Sequence, residues 1–181
     1  IGQTDQEIEN VIREFNPDIV GVSILFSNLN DSAHIIAGIV KKINPKIYVL
    51  LGGNHISNSI VDYKENIVHP GDDIPLISDM EDENVDFALI GEADFTIIEL
   101  VNKLINDEDY SKVPGLLRRV SRGKYTDNPP GRSTDLINLP LPARHLVNME
   151  SYFDIGAFHS AKSRSNRVLN IMCSRGCPEK C

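Results

Sequence analysis

The first 172 residues of this 181-residue chain contain no cysteine. A secreted disulfide scaffold distributes its cysteines through the fold, so their absence here excludes that class. The chain also lacks any apolar run near the ~20 residues that a membrane span requires, and no basic-then-apolar signal segment opens it. These absences predict a cytoplasmic protein that does not enter a membrane.

Basic residues are scarce as well. The chain has 18 Lys and Arg against 26 Asp and Glu, for a net charge of −8. Nucleic-acid binding needs a concentrated basic face, and the one basic cluster, residues 162–167, is short and rich in serine. We therefore expect no nucleic-acid partner. The remaining composition, 41% hydrophobic and 24% charged, is typical of a globular protein with one sizeable core.

Apolar residues alternate between strand-like runs and helical spacing along the first 120 residues. Helices are predicted around residues 5–15, 30–43 and 94–105. Strands are predicted at 18–25, 46–51 and 85–90, and a further strand at a sheet edge at 114–120. The first strand has the pattern of one buried on both faces. The third helix is expected to turn one set of residues inward, namely Ile97, Ile98, Val101, Leu104 and Ile105.

This alternation predicts an α/β fold with a parallel, doubly wound sheet and right-handed crossovers. The polar stretch 54–84 is long for a connection, and we expect it to hold a poorly formed helix and an inserted loop. Residues 121–135 are rich in turn formers and predict a hairpin or linker. A last strand is predicted at 167–172.

Small and polar residues follow three of the predicted strands. Ser23 and Leu25 end the first, Gly52 and Gly53 the second, and the pair Gly91-Glu92 the third. Ligands of such sheets bind beyond the carboxyl ends of the strands, so these loops form the candidate binding edge. Each feature also has an ordinary structural explanation: glycine pairs end many strands, and acidic residues stabilise helix starts.

All three cysteines lie in the last nine residues, at Cys173, Cys177 and Cys181. Their clustering indicates a local metal site. Zinc and a redox pair are the alternatives, but zinc favours a two-residue gap and needs a fourth ligand nearby. A disulfide would be unusual in a cytosolic protein.

Taken in order, these motifs resemble the cobalamin-binding radical S-adenosylmethionine (SAM) superfamily, which includes magnesium-protoporphyrin monomethyl ester cyclase-like proteins and cobalamin-dependent radical SAM methylases. Six residues match or partly match the cobalamin-binding motifs: Ser23, Leu25, Gly52, Gly53, Gly91 and Glu92. The family's Gly-Glu-Gly-Glu run is Gly-Glu-Ala-Asp here. By the same resemblance Cys177 and Cys181 are the first two thiolate ligands of a 4Fe-4S cluster, the third lies past Cys181, and Cys173 is a buried spectator.

The resemblance implies that the reduced cluster cleaves SAM and generates a substrate radical, leading to methyl transfer or cyclisation without oxygen. The expected partners are a small-molecule substrate and an electron donor such as flavodoxin or ferredoxin. The expected cofactors are cobalamin, the 4Fe-4S cluster and SAM. An alternative is a cobalamin-binding or sensory module without radical chemistry.

The resemblance also implies an order of domains. Residues 1–125 would be a Rossmann-like cobalamin-binding domain whose first strand and helix precede the chain, 126–166 a linker, and 167–181 the first strand of the radical SAM barrel. The chain would then be an N-terminal fragment, inactive alone.

A methylthiotransferase is disfavoured because that family carries cysteines in its first domain. A domain that kept its fold and lost cobalamin is another alternative. His34, His55 and His69 are interpreted as surface or loop residues, although His55, close to Gly53, could line the pocket.

Overall fold

Three short, mostly apolar segments form three parallel strands: β1 (Ile19–Ser23), β2 (Tyr48–Gly52) and β3 (Phe87–Leu89). The computed structural model describes residues 3–131, 137–154, 165, 167–169, 171 and 175. Strand β2 lies between β1 and β3 and pairs with both in parallel. β3 is buried at every residue because the sheet continues on both of its sides.

The sheet is completed by an antiparallel hairpin of β4 (Leu116–Ser121) and β5 (Lys124–Asp127). The hairpin turn includes Gly123, whose φ of 66° suits glycine. The order of strands is β1-β2-β3-β4-β5, and β4 pairs antiparallel with both β3 and β5. The expected strand at 114–120 is therefore correct in place but wrong as an edge, and the sheet is parallel only from β1 to β3.

Helices connect the strands in the alternation that the sequence predicts, which confirms the α/β class. The first helix carries a capping box at Thr4 and Glu7 and ends at Asn16 in the left-handed conformation. The long stretch after β2 contains the expected loop, but it holds two helices, and the first is a regular helix of 11 residues rather than a poorly formed one. The helices of this unit are α1 (Asp5–Phe15), α2 (Asn30–Ile43), α3 (Asn54–Lys64), α4 (Ser78–Glu81) and α5 (Thr96–Ile105).

Two apolar cores lie on the two faces of the sheet. Residues of α1 to α4 pack with Val49, Leu51 and Ala88 on one face. On the other face Leu100 of α5 packs with Phe87 and neighbouring residues. This arrangement positions the strand ends and the helices that follow them around one edge.

Some burial predictions are wrong. Strand β1 has two exposed residues, Gly21 and Ser23, because it is an edge strand of the described sheet and only partly covered. In α5 the buried residues are Thr96 and Leu100, whereas Ile98 is 54% exposed and Ile105 71% exposed. The apolar stripe of α5 is wider than the sheet area it covers, so apolar spacing alone overestimated its buried face.

The chain divides into two compact units, Gln3–Leu139 and a second one formed mainly by Pro140–Cys181. In the second unit a 3-10 turn at Arg144–Leu146 precedes α6 (Met149–Asp154). Arg167 pairs with Glu150 at 2.6 Å and lies over the ring of Phe153. Of the strand predicted at 167–172, residues 167–169 and 171 are not in a strand, and 170 and 172 lie outside the described residues. Across the described segments no helix has the length and apolar character needed to cross a membrane.

Candidate ligand-binding site at the strand ends

The ends of β1 and β2 lie side by side. Ser23 is the register partner of Gly52, so the two predicted residues face each other across one strand pair. Just beyond them, the N–H of Ile24 donates to the carbonyl oxygen of Gly52 at 2.7 Å. The sheet thus brings the first two predicted loops together at one edge.

Gly53 makes the closest approach between these loops. Its φ is +98°, and a Cβ added there would lie 2.5 Å from the carbonyl oxygen of Ile24. The N–H of His55 donates to that same oxygen at 3.1 Å. Only glycine fits this position, and its compactness allows α3 to start directly against the end of β1.

The third loop joins the same edge through α3. The N–H of Gly91 donates to Oγ of Ser57 at 3.1 Å. Gly91 has a φ of +79°, and Glu92 is exposed. Leu25, at the end of the first loop, is half-exposed. All six residues predicted to bind cobalamin therefore lie at or just beyond the carboxyl ends of the three parallel strands.

A cleft of ≈ 600 Å³ opens on the α2–α4 side of this edge. Its volume is within the usual range for small-molecule sites. The six predicted residues are not among those that line it. The lining consists mainly of polar side chains from the turn after β1, the start of α2, α3, the loop after α3 and α4: Ser27, Asn30, His55, Asn58, Ser59, Val61, Asp62, His69, Leu76, Ser78 and Asp79.

A chain of polar side chains runs from the cleft into the protein. Oγ of Ser27 lies 3.0 Å from Nδ1 of His55. Nε2 of His55 lies 3.4 Å from Oδ2 of Asp79. Asp79 is 1% exposed and also accepts from the hydroxyl of Ser59 at 3.5 Å. A buried carboxylate therefore lies behind the imidazole that faces the cleft.

His34 extends this chain on its far side. Its Nε2 lies 3.3 Å from Oδ1 of Asp79, and its Nδ1 lies 2.6 Å from Oδ2 of Asp82. Burial lowers the pKa of His34, but hydrogen bonds with Asp82 and Asp79 outweigh it, and the net pKa is raised. Both ring nitrogens face carboxylate oxygens, so the doubly protonated imidazolium satisfies both contacts.

The cleft wall also contains an unsatisfied acceptor. Oδ1 of Asn30 is buried and has no hydrogen-bond partner. Buried polar atoms are rarely left unpaired in proteins, so an orphan in a cleft wall indicates that a ligand group or water completes it.

The structure confirms that His55 lines a pocket and shows that the surface interpretation of His34 is wrong. Asp79 was not predicted as a site residue because it lies within the polar run before β3. The signal in the sequence was that its neighbours Ile77 and Met80 are apolar within that polar run, and the structure buries both of them. The contact between His34 and Asp79 joins residues 45 positions apart, which no local pattern indicates.

The cysteine predictions fall on Cys173, Cys177 and Cys181, which lie outside the described residues. Within the described part of the chain, no group of three or more His, Cys, Asp or Glu side chains is arranged to hold a metal ion. The cluster loop therefore stays a prediction.

Comparison with known proteins gives the sequence relationship. Residues 1–74 match the B12 binding domain family. Over 99% of its length the chain is 27% identical to cytidylyl-2-hydroxyethylphosphonate methyltransferase of Streptomyces wedmorensis, and covers 35% of that protein. Over 98% of its length it is 28% identical to an uncharacterized methyltransferase of Pyrococcus horikoshii, covering 33% of it. The chain thus spans about a third of the length of these curated relatives.

Solved structures share the fold. The cobalamin-dependent SAM radical enzyme OxsB, with aqua-cobalamin and SAM bound, matches 78% of the chain at a TM-score of 0.57 and 19% identity, and the chain covers 18% of it. The radical SAM methyltransferase TsrM of Kitasatospora setae, with cobalamin and a [4Fe-4S] cluster bound, matches 71% at a TM-score of 0.50 and 17% identity, with 21% of it covered. The chain is therefore similar in sequence to curated methyltransferases over nearly its whole length, has a B12 binding domain match in its first 74 residues, and shares the fold of OxsB and TsrM.

Proposed function

We propose that this chain holds cobalamin at the carboxyl edge of its parallel strands, as part of a methyltransferase that also uses a 4Fe-4S cluster and SAM. The observation that carries the proposal is that the loops after β1, β2 and β3 converge at one edge of the sheet, beside the cleft. Residues 1–74 of the same chain match the B12 binding domain. The edge and the cleft supply a polar, partly enclosed surface next to compact glycine loops.

The residues present fit cobalamin. Gly53 lets the start of α3, with His55, lie directly against the end of β1 beside Gly52, and this close packing forms one wall of the cleft. The unpaired Oδ1 of Asn30 and the hydroxyl of Ser27 offer hydrogen bonds to the ligand's many polar groups. Ser23, Leu25, Gly91 and Glu92 border the same edge. When bound, cobalamin would supply methyl-group transfer, and the role of these residues is to bind it and exclude water.

The rest of the proposal concerns the full-length protein. Cys177 and Cys181 would be two of three thiolate ligands of a cluster whose open iron binds SAM. The protein would act in the cytoplasm on a small-molecule substrate, with flavodoxin or ferredoxin as electron donor. Methyl transfer is favoured over cyclisation because the curated relatives are methyltransferases.

The test is to purify the full-length protein without oxygen, reconstitute it with iron, sulfide and aquacobalamin, and measure bound metal. The proposal expects about four irons and one cobalt per chain. A variant with Cys177→Ala and Cys181→Ala should lose the iron and keep the cobalt. Iron without cobalt would refute the role of the strand edge. Cobalt without iron in the unmodified protein would favour a cobalamin-binding module without radical chemistry.

A further inference from the structure

The donor and acceptor roles of the polar side chains in the cleft wall follow from protonated His34, which lies at one end of their chain of contacts. His34 lies between the carboxylates of Asp79 and Asp82, with its two ring nitrogens 3.3 Å and 2.6 Å from carboxylate oxygens. As an imidazolium it donates from both nitrogens. Asp79 therefore accepts from His34 through Oδ1, while its Oδ2 accepts from the hydroxyl of Ser59 at 3.5 Å and lies 3.4 Å from Nε2 of His55.

This leaves His55 with a defined tautomer. Nε2 of His55 lies 3.4 Å from Oδ2 of Asp79 as an ion-pair contact, and a ring lone pair facing this carboxylate would be repelled, so the proton is assigned to Nε2. In the neutral ring Nδ1 is then an acceptor, so the hydroxyl of Ser27 donates to Nδ1 across their 3.0 Å contact. The proton of Ser27 points away from the cleft, and its oxygen lone pairs are available to a ligand.

We propose that Asp79 is a positioning residue that makes the Ser27–His55 wall of the cleft a hydrogen-bond acceptor, so that this wall selects primary amide groups of cobalamin over carboxylates. The inference rests on the proposed cobalamin-binding function. A second acceptor in the same wall points to the same ligand chemistry, since Oδ1 of Asn30 is buried and lacks a donor. Amide N–H groups can pair with both oxygens, whereas a carboxylate has no hydrogen to offer either of them.

The proposal makes a specific claim about the variant Asp79→Asn. The amide oxygen of the new side chain would face the imidazolium of His34, so its NH₂ group would face His55. Nε2 of His55 must then accept, the proton moves to Nδ1, and Nδ1 donates to Ser27. The hydroxyl proton of Ser27 is thereby freed to point into the cleft. One substitution of nearly equal size should reverse the polarity of the wall.

The experiment compares the affinities of the full-length protein for aquacobalamin and for cobalamin monocarboxylic acids, in which one propionamide is hydrolysed to a carboxylate. The unmodified protein should bind at least one of these acids about 10-fold more weakly, the effect of one mispaired charged group. In Asp79→Asn and in Ser27→Ala this preference should fall to within about twofold. Circular dichroism checks that each variant is folded.

The matched control is Asp73→Asn, which removes the same charge outside the cleft lining, where Asp73 pairs with Arg122 at 2.6 Å. It should keep the preference. If Asp73→Asn and Asp79→Asn lowered the preference equally, net charge would explain it and the proposal would be wrong. No preference in the unmodified protein, or a full preference in Asp79→Asn, would also overturn it.

A second measurement separates this proposal from the cobalamin-binding function. In ligand-free protein labelled with ¹⁵N-histidine, solid-state NMR reports which ring nitrogen of His55 carries the proton, with His55→Gln assigning the signal. The expected result is Nε2–H in the unmodified protein and Nδ1–H in Asp79→Asn. The same tautomer in both would refute the positioning role. Failure to bind cobalamin with the expected tautomers would refute the proposed ligand alone.

Discussion

Replacing Gly53 with alanine should destabilise the fold far more than the same change one residue earlier. Gly53 has φ +98° and ψ 178°, a region that only glycine occupies without strain. Such strain costs about 1–3 kcal/mol. The added Cβ would also lie 2.5 Å from the backbone oxygen of Ile24 and 2.8 Å from its carbonyl carbon.

Those two atoms belong to the main chain and cannot rotate away, so α3 and the end of β1 would have to separate. Separation would stretch the bonds Ile24 N–H to Gly52 and His55 N–H to Ile24, of 2.7 Å and 3.1 Å. Forced overpacking of this kind costs about 1–3 kcal/mol. The two contributions give a loss of about 4 kcal/mol, a large part of the roughly 5–15 kcal/mol that stabilises a domain.

The assay is urea unfolding of the 181-residue chain followed by far-ultraviolet circular dichroism. With a slope of about 2 kcal/mol per molar urea, the midpoint of Gly53→Ala should fall by about 2 M. In Gly52→Ala the added Cβ would meet only the oxygen of Leu89 at 3.7 Å, an ordinary contact, so the loss should stay below about 1 kcal/mol. Gly38→Ala, in α2 with open space around it, should gain about 0.5–1 kcal/mol. A Gly53→Ala midpoint within about 0.3 M of the unmodified chain, equivalent to about 0.6 kcal/mol, would refute the predicted clash and strain at this position.

Three further changes probe the surroundings of the cleft and the sheet. The pKa of His34 is raised above its ordinary 6.5, so the contribution of protonated His34 to the free energy of unfolding is complete below about pH 6.5 and is lost as the pH rises through the raised value. In urea titrations at several pH values, His34→Gln should abolish this part of the pH dependence of stability. Asp86→Ala should cost about 2 kcal/mol in the same assay, because the N–H of Val49 loses its acceptor at 2.7 Å and Lys41 loses its carboxylate partner at 2.6 Å and keeps only carbonyl oxygens; an unchanged midpoint would contradict that. Tyr125→Phe should cost about 1–2 kcal/mol, because the N–H of Ile77 loses its acceptor and Glu81 loses a donor; an unchanged urea midpoint would contradict this.

The sequence was a good guide to the fold where the chemistry is local. β-branched runs became β1 and β2, and Gly53 and Gly91 indicated the two strand-end turns with positive φ. The antiparallel pairing of β4 could not be predicted, because a run such as that of residues 114–120 looks alike in either direction. The exposure of Ile98 likewise depends on how much sheet lies beneath α5, which spacing within a helix does not reveal.

Only part of the candidate site could be predicted from the sequence. Ser23, Gly52 and Gly91 could be placed at one edge because parallel strands align their carboxyl ends. The cleft behind that edge could not be foreseen, since it depends on contacts such as that of His55 with Asp79, which join α3 to a one-turn helix after a long loop. Residues that meet through tertiary packing leave no periodic signal in the chain.

Helix α4 has four residues, too few for helical hydrogen bonding alone to sustain it. It is held by carboxylates directed to opposite sides: Asp79 contacts the two histidines, and Glu81 contacts Arg119 at 3.0 Å and the N–H of Gly123 at 3.0 Å. Loosening either end removes support from the other. The cleft wall and the β4–β5 turn should therefore open as one cooperative unit, and amide hydrogen exchange at Gly123 should slow when the cleft is filled, although Gly123 is not among the residues that line it.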